Sequence, residues 1–272
     1  MKVFYKRSAA FGLVAVIVCS FLSLFSAKNS TEPRYSAYGD AVTYALVETE
    51  TINYTRREEN YFETVKGAPQ YYQISKYPNS CGPVAGAMIV GFYDKYYLDL
   101  IPDYSSTVSS GTYKKADSVY IPNLIGQLYT LMGTNENGAG VSETDCLNGL
   151  RTYVQNKGRA LTYINIYGDE GINVNSYQIA VDNNRPSLIF CNKMSVYNFY
   201  PGATSEELRI LTYEGGHVVV AYGYYEVNYY SASSLIRTDK YLAVQTGLSG
   251  VTGYLKLDNM EWCNAAYAVA VD

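Results

Sequence analysis

The stretch Asn79-Ser-Cys-Gly-Pro-Val-Ala85 decides how the rest of the chain is interpreted. Pro83 suits the first turn of a helix, because the N–H group that proline lacks has no intrahelical partner there. Apolar residues then recur with the spacing of one helical face, at Val84, Ala87, Met88, Phe92 and Tyr96. The sequence therefore predicts an amphipathic helix with Cys81 at or just before its N-terminus.

A cysteine in this position has the surroundings of a nucleophile. The start of a helix presents free N–H groups and about half a positive charge, and both favour the reactive thiolate form. The same N–H groups can stabilise an oxyanion during acyl transfer. Cys81 is therefore the first candidate catalytic residue, with a buried structural cysteine as the alternative interpretation.

His217 is the only histidine in the chain. A cysteine nucleophile of this kind needs an imidazole as its base, so no other residue can take that role. His217 follows Gly215-Gly216 and leads into Val218-Val-Val-Ala-Tyr-Gly-Tyr-Tyr225, an apolar run typical of a buried strand. We predict that His217 stands at the mouth of this strand and acts as general base for Cys81.

A side-chain amide upstream of the nucleophile can complete an oxyanion hole. Gln73 lies eight residues before Cys81, within Pro69-Gln-Tyr-Tyr-Gln-Ile74, and is our candidate for this donor. Gln70 lies in the same segment, and spacing alone does not exclude it.

Taken in order, these motifs resemble the C39-like peptidase family of the papain-like cysteine peptidase superfamily. The similar segments are Tyr71-Tyr-Gln73 with Asn79–Ala85, Asp182-Asn-Asn-Arg-Pro-Ser-Leu-Ile189 and Gly215–Tyr224, and Tyr241–Leu257 is similar to the related streptopain group. The resemblance covers about residues 69–260. It implies that the Cys81 thiolate attacks a peptide carbonyl, that His217 shuttles the proton, and that Gln73 and the Cys81 N–H hold the oxyanion.

The chain departs from the papain-like pattern at one position. Where that pattern has Asn or Asp as the acceptor that orients the imidazole, this chain has Gln245. Glutamine carries the same amide on a longer arm, so we predict that Gln245 accepts a hydrogen bond from the His217 ring, directly or through one water molecule. Thr246 is adjacent and Asp258 is a more distant substitute.

The pattern of helices and strands predicts an α+β fold. Helices are expected at about 119–132, 142–156 and 173–183, the second with a Ser142–Asp145 capping box. Strands are expected at 161–166, 187–191, 217–225, 241–245, 254–257 and 266–271. Helices first and strands later favour a helical half packed on a twisted antiparallel sheet or partial barrel. The resemblance implies a papain-like arrangement with the active site in the cleft between the two halves.

The N-terminus predicts export. Lys2, Lys6 and Arg7 precede an apolar run from Ala9 to about Phe25, so we assign residues 1–27 to a cleaved signal peptide or an uncleaved N-terminal anchor. Residues 28–66 are polar and predict a linker or short pro-segment, partly helical around 42–62. Residues 67–272 form the predicted peptidase domain.

Composition narrows the choice of partners. The net charge of −4 gives no basic excess, so no nucleic-acid surface is expected. No CxxC motif or Cys/His cluster is present, so we predict no metal and no cofactor. With Cys81 as a free nucleophile, the three thiols Cys146, Cys191 and Cys263 allow at most one disulfide. We expect a monomer that binds a protein or peptide substrate and meets the membrane only through an uncleaved N-terminal segment.

Three other functions use the same residues. The scaffold suits a cell-wall amidase or transamidating enzyme, which would act on another acyl substrate. A non-catalytic binding module would explain the departure at Gln245. Transporter-linked leader processing ranks last, because the chain has no ATPase segment and no multi-span membrane region.

Overall fold

The computed structural model describes residues 34–35, 46–104, 119–248, 252–258 and 260–272. The targeting segment predicted at residues 1–27 lies outside these ranges. No helix within them is long and apolar enough to cross a membrane. The fold described below is therefore that of the chain from the second half of the predicted linker onward.

Four helices lie in the described ranges: α1 Cys81–Asp94, α2 Tyr120–Leu131, α3 Glu143–Asn156 and α4 Val174–Asp182. The four helices predicted within residues 67–272 are confirmed. The Ser142 Oγ accepts the Asp145 N–H at 3.0 Å, as the capping box requires. The Asn173 Oδ1 accepts the Ser176 N–H at 2.9 Å and caps α4 in the same way.

The described strands are β1 Arg34–Tyr35, β2 Leu46–Asn53, β3 Arg56–Thr64, β4 Val141–Ser142, β5 Leu161–Asn165, β6 Tyr167–Gly168, β7 Gly171–Ile172, β8 Ser187–Pro201, β9 Ser205–Ser231, β10 Ser234–Gln245, β11 Thr252–Lys256 and β12 Cys263–Val271. Eight of them form one antiparallel sheet in the order β2-β9-β10-β11-β8-β12-β5, with β3 beside β9. The pairs β1–β4 and β6–β7 stand apart. The predicted α+β class is confirmed, and β8 and β9 extend well beyond the segments expected from sequence.

Strand β9 is sharply curved. Its 27 residues would measure about 90 Å as a straight strand. Yet Asn53 at the end of β2 pairs with Ser205, and Arg56 at the start of β3 pairs with Tyr230. Because Asn53 and Arg56 are only three residues apart, the two ends of β9 come close together. The sheet therefore curls into a partial barrel around β9.

Residues 46–64 correct the sequence interpretation. They form two strands of the main sheet, so the helix expected around 42–62 is wrong over the described residues, and this segment is not a linker outside the sheet. Its charges find partners on distant strands: Arg57 Nε lies 3.1 Å from Glu206 Oε2, and Glu50 pairs with Arg237. Polar residues that looked solvated are neutralised across the barrel.

The fold has two apolar cores. The main core lies between the helices and the sheet, and α1 contributes most of its residues to it. The second core joins both halves of β9 and is rich in tyrosine, with Tyr54, Tyr225, Tyr229 and Tyr241. Buried tyrosine hydroxyls need polar partners: Tyr241 donates to Asp239 at 3.0 Å, and Tyr229 donates to Glu206. Part of the high tyrosine content thus fills the barrel.

Candidate active site

Cys81 is the first residue of helix α1, and its side chain is only 1% exposed. The predicted position at a helix N-terminus is confirmed. Ser80 occupies the N-cap position, but its side chain makes no capping hydrogen bond. Within the described residues the Ser80 Oγ is buried and has no partner. The helix start is therefore not closed by its own cap, which keeps its positive end directed at the site.

His217 lies on β9 directly opposite Cys191 on β8. Gly215, with φ of +100°, lies at the bulge that precedes it, where a residue with a Cβ would be strained. The His217 Nε2 lies 2.7 Å from the main-chain oxygen of Thr246. A carbonyl oxygen only accepts, so Nε2 must carry the proton. In the neutral ring this leaves Nδ1 as the unprotonated nitrogen, able to accept a proton from a thiol.

The segment Thr246-Gly247 connects the histidine to helix α1. Thr246 holds the imidazole, and Gly247 packs on α1, where a Cβ added to it would lie 3.1 Å from Val84 Cγ1. Gly247 also has φ of +73°, so both space and backbone conformation favour glycine here. Val84 is one turn beyond Cys81. The packing of Gly247 on α1 was not predicted. In the sequence it is indicated only by a glycine that follows a strand by two residues.

The Cys81 thiol also lies near the strand partner of His217. Burial raises the pKa of the Cys191 thiol, and the charges of Cys263 and Cys81 raise it further. Cys191 faces His217 on β9 and Cys263 on β12. The fold thus brings the α1 start and the His217 strand into one region, and direct contact between the Cys81 thiol and the imidazole stays a prediction.

Gln73 is attached to the same segment as His217. Its main-chain N–H donates to the Gly247 oxygen at 2.9 Å. Its side-chain Nε2 and Oε1 are buried and have no hydrogen-bond partner among the described residues. A buried amide without hydrogen bonds costs roughly 1–3 kcal/mol of stability. A glutamine at this position is therefore best explained by a ligand that forms the missing hydrogen bonds. This arrangement supports Gln73 as the oxyanion donor. No comparable contact supports Gln70 among the described residues.

Gln245 does not hold the imidazole directly, so the direct form of our sequence prediction is wrong, whereas a bond through one water molecule stays a prediction. Gln245 pairs with Val220, three residues from His217, and strand alternation puts their side chains on opposite faces. The cause is an irregularity at Ala243 and Val244, where Tyr222 of β9 is an extra residue. Without it, Gln245 would pair with Ala221 on the face of His217. The Thr246 main chain supplies the acceptor instead.

The remaining substitute, Asp258, is exposed and forms an ion pair with Lys256 at 2.9 Å. Within the part of the chain that the structure describes, Asp258 makes no hydrogen bond or ion pair with the His217 ring. The Gln245 Oε1 is buried and lacks a hydrogen-bond partner among the described residues. The orienting group of the candidate site is therefore a main-chain atom, which no substitution of a side chain removes directly.

Replacing Gln245 with leucine is expected to leave kcat within about threefold of the parent. Gln245 could affect the transition state only by orienting the imidazole, and the Thr246 oxygen has that task. The measurement is steady-state hydrolysis of a peptide substrate by the parent, Gln245→Leu and Gln245→Asn. A large fall in kcat with KM unchanged in Gln245→Leu, restored by Gln245→Asn, would return the orienting role to this side chain.

The other described cysteines are buried thiols, and none of the four is in a disulfide. Burial raises the pKa of Cys146 and of Cys191, and raises that of Cys263 to about 12. Such thiols stay protonated and react slowly. Among the described residues, no group of His, Cys, Asp or Glu side chains is arranged to hold a metal ion.

Burial lowers the pKa of His217 to about 4, and the hydrogen bond to Thr246 only partly opposes this. Between about pH 4 and the ordinary histidine pKa of about 6.5, the unfolded chain binds a proton at this residue that the folded chain does not. Folding stability attributable to His217 is therefore present above about pH 6.5 and is lost as the pH falls toward 4.

We expect this loss to reach about 3 kcal/mol below pH 4. The measurement is the free energy of unfolding in urea between pH 7 and pH 4 for Cys81→Ala and for Cys81→Ala with His217→Gln. The histidine-free variant should show a shallower decline over this range. Parallel curves would mean that His217 titrates normally in the folded protein.

No protein-family model matches this chain, and no curated protein matches it either. The geometry of the site and the motifs that carry the family resemblance are therefore the basis for inferring a function.

Proposed function

We propose that this chain is a papain-like cysteine peptidase with Cys81 as nucleophile and His217 as general base. One observation carries the proposal. The only histidine of the chain is fixed through Nε2 by the Thr246 oxygen, on a segment that packs against the helix beginning at Cys81. This leaves Nδ1 as the basic nitrogen, which is the requirement for activating a thiol.

In the first half of the reaction, His217 Nδ1 takes the thiol proton as the Cys81 sulfur attacks the carbonyl carbon of the scissile peptide bond. The carbonyl π bond opens and the oxygen becomes an oxyanion. The Gln73 Nε2 and the main-chain N–H of Cys81 donate to this oxygen. As the tetrahedral intermediate collapses, the C–N bond breaks and the leaving amine takes the proton from the imidazolium.

In the second half, a water molecule attacks the thioester carbon while His217 Nδ1 takes one of its protons. The same donors hold the second oxyanion. The C–S bond then breaks, the carboxylic acid leaves, and the Cys81 sulfur regains a proton from His217. The cycle consumes one water and one peptide bond, and needs no cofactor.

The lowered pKa of His217 determines which protonation state we propose for Cys81 and His217 before the reaction begins. An imidazole with a pKa of about 4 is neutral at pH 7. We therefore propose that Cys81 and His217 rest as a neutral thiol and imidazole, and that the proton moves as the sulfur attacks. A preformed thiolate–imidazolium pair would require a raised histidine pKa, because the opposite charge would favour the protonated ring.

The architecture supports the papain-like part of the proposal. A nucleophile helix, α1, packs on an antiparallel sheet that carries the histidine and curls into a partial barrel. The N-terminal pattern of residues 1–27 supports an extracytoplasmic location. The proposed substrate is a protein or peptide.

The experiment that tests the proposal is labelling with a thiol-reactive peptidase probe followed by mass mapping. All four thiols are buried, but we propose that only Cys81 has a base, His217, placed to take its proton. We therefore expect modification of Cys81, with little at Cys146, Cys191 and Cys263. His217→Ala should slow the labelling of Cys81. Because the Cys81 side chain is almost fully covered, the rate also reports how readily the site opens.

Cys146→Ala is the matched control, because it removes a buried thiol close to the same helix without removing the proposed nucleophile. It should label as the parent does. Resistance of Cys81 to the probe, or equal labelling of the buried thiols, would contradict the peptidase and favour a non-catalytic binding module.

A further inference from the structure

The face of the sheet that carries His217 continues along β8. Residues directly opposite each other in antiparallel strands share a face, so Cys191 lies on the same face as His217. The irregularity after Cys191 places its extra residue on β9, and the side chains of β8 alternate without interruption. Lys193, Ser195 and Tyr197 therefore follow Cys191 on the face of the candidate site.

A cleft of about 420 Å³ opens along this face. Its end nearest Cys191 along β8 is lined by the exposed Asn192 and by Trp262, which adjoin the paired residues Cys191 and Cys263. Asn192 Nδ2 donates to Asn264 Oδ1 at 3.3 Å and so ties β8 to β12 at this end. The cleft thus begins one residue from the strand partner of His217 and extends away from the site.

The cleft has aromatic walls and two cations. Tyr197 and Trp262 form apolar surfaces, and Trp262 Nε1 is fixed by donating to the Lys256 oxygen at 3.2 Å. Lys193 and Lys256 also line it, together with the carboxylate of Asp258. A few charged groups among aromatic side chains are typical of a site that orients one ligand group.

The carboxylates around Lys256 differ in exposure and in the number of groups that hold them. Asp239 is 2% exposed and holds Lys256 at 3.0 Å, while its other oxygen accepts from Arg237 and Tyr241. Both oxygens of Asp239 therefore have partners, and the carboxylate is held in place. Asp258, which also pairs with Lys256, is 59% exposed at the rim.

Lys193 pairs at 2.7 Å with Glu214, and the two side chains are 50% and 61% exposed. Exposed ion pairs of this kind contribute little stability and exchange readily. A ligand carboxylate can take the place of Glu214 on Lys193, and of Asp258 on Lys256. A ligand cation would instead lie beside two ammonium groups, of which that of Lys256 is held in place by the buried Asp239.

From this arrangement we infer that the cleft binds an acidic side chain of the peptide substrate, close to the scissile bond, with Lys193 as the residue that determines the preference. The inference depends on the proposed function for the role of the cleft in catalysis. Binding of the carboxylate itself does not depend on it, so the two are tested separately.

The kinetic test compares hydrolysis of a peptide library by the parent, Lys193→Glu and Lys240→Glu. Lys240 is the matched control, because it is 49% exposed and pairs with Glu226 away from the cleft. In the parent we expect peptides with Asp or Glu at one position near the cleavage point to have kcat/KM about five- to tenfold above their Asn or Gln analogues.

Lys193→Glu should remove or reverse this preference while neutral peptides are still cleaved, and Lys240→Glu should keep it. Absence of an acidic preference in the parent, or equal behaviour of the two lysine variants, would overturn the inference.

The binding test uses Cys81→Ala and the intrinsic fluorescence of Trp262, the only tryptophan of the chain. The probes are an alanine-based pentapeptide with a central glutamate and its glutamine analogue. We expect Trp262 emission to report tighter binding of the glutamate peptide by about fivefold, and Lys193→Glu to remove the difference. Equal affinities, or no change in emission at millimolar peptide, would overturn the inference. If the parent cleaves no peptide but this difference is found, the peptidase proposal fails and the cleft assignment stands.

Discussion

Cys81→Ala and His217→Ala are each expected to lower kcat for peptide hydrolysis by about 10⁴–10⁶-fold, and the double variant is expected to be no slower than either one. The two side chains act as one unit, since a thiol without its base is a weak nucleophile and the base has no other task. Activity that remains should come from the oxyanion donors and substrate binding alone.

The measurement is kcat for the parent, both single variants and the double variant, with folding of each checked by thermal unfolding. Cys146→Ala serves as the control for removing a buried thiol beneath the same helix, and should keep most of its activity. Full activity in either Cys81→Ala or His217→Ala would exclude the catalytic assignment. Losses that add in the double variant would mean that the two residues act independently.

Gln73→Ala is expected to lower kcat by about 10²–10³-fold, the usual effect of removing one oxyanion donor. KM should change little, because the donor acts on charge that develops only in the transition state. The amide is buried without a partner in the described residues. Removing it should therefore leave the free energy of unfolding unchanged or raise it.

Gln70→Ala is the matched control, because it removes the same amide three residues earlier in the same segment. It should retain parent activity. A large fall in kcat for Gln70→Ala and none for Gln73→Ala would transfer the role to Gln70. A fall in stability without a change in kcat for Gln73→Ala would make Gln73 a structural residue.

Local patterns in the chain were enough for much of the fold. Proline in a first turn and a 3.6-residue apolar repeat predicted the helix that begins at Cys81. The capping residue Ser142 predicted the start of α3. These signals are local, because the groups that satisfy a helix terminus lie within a few residues of it in the chain.

The sequence predicted the positions of strands β8 and β9 but not their full lengths. Alternation and β-branched residues identified the apolar parts of β8 and β9, while their polar extensions escaped notice. Residues 46–64 were missed as strands altogether, and there Arg57 and Glu50 pair with residues about 150 positions or more away. A charge neutralised by a distant strand cannot be distinguished in the sequence from a solvated one.

The sequence by itself determined the helix that begins at Cys81, the single histidine and the α+β class, since each depends on residue type and local periodicity. Only the tertiary structure decided which atom holds the imidazole and where the cleft runs. One extra residue at Tyr222 turns Gln245 away from His217, and the Thr246 oxygen takes its place. A strand has a side-chain period of two, so a shift of one residue in register reverses the face of every side chain beyond it. Register is set by pairing between residues far apart in the chain, and that information is not local.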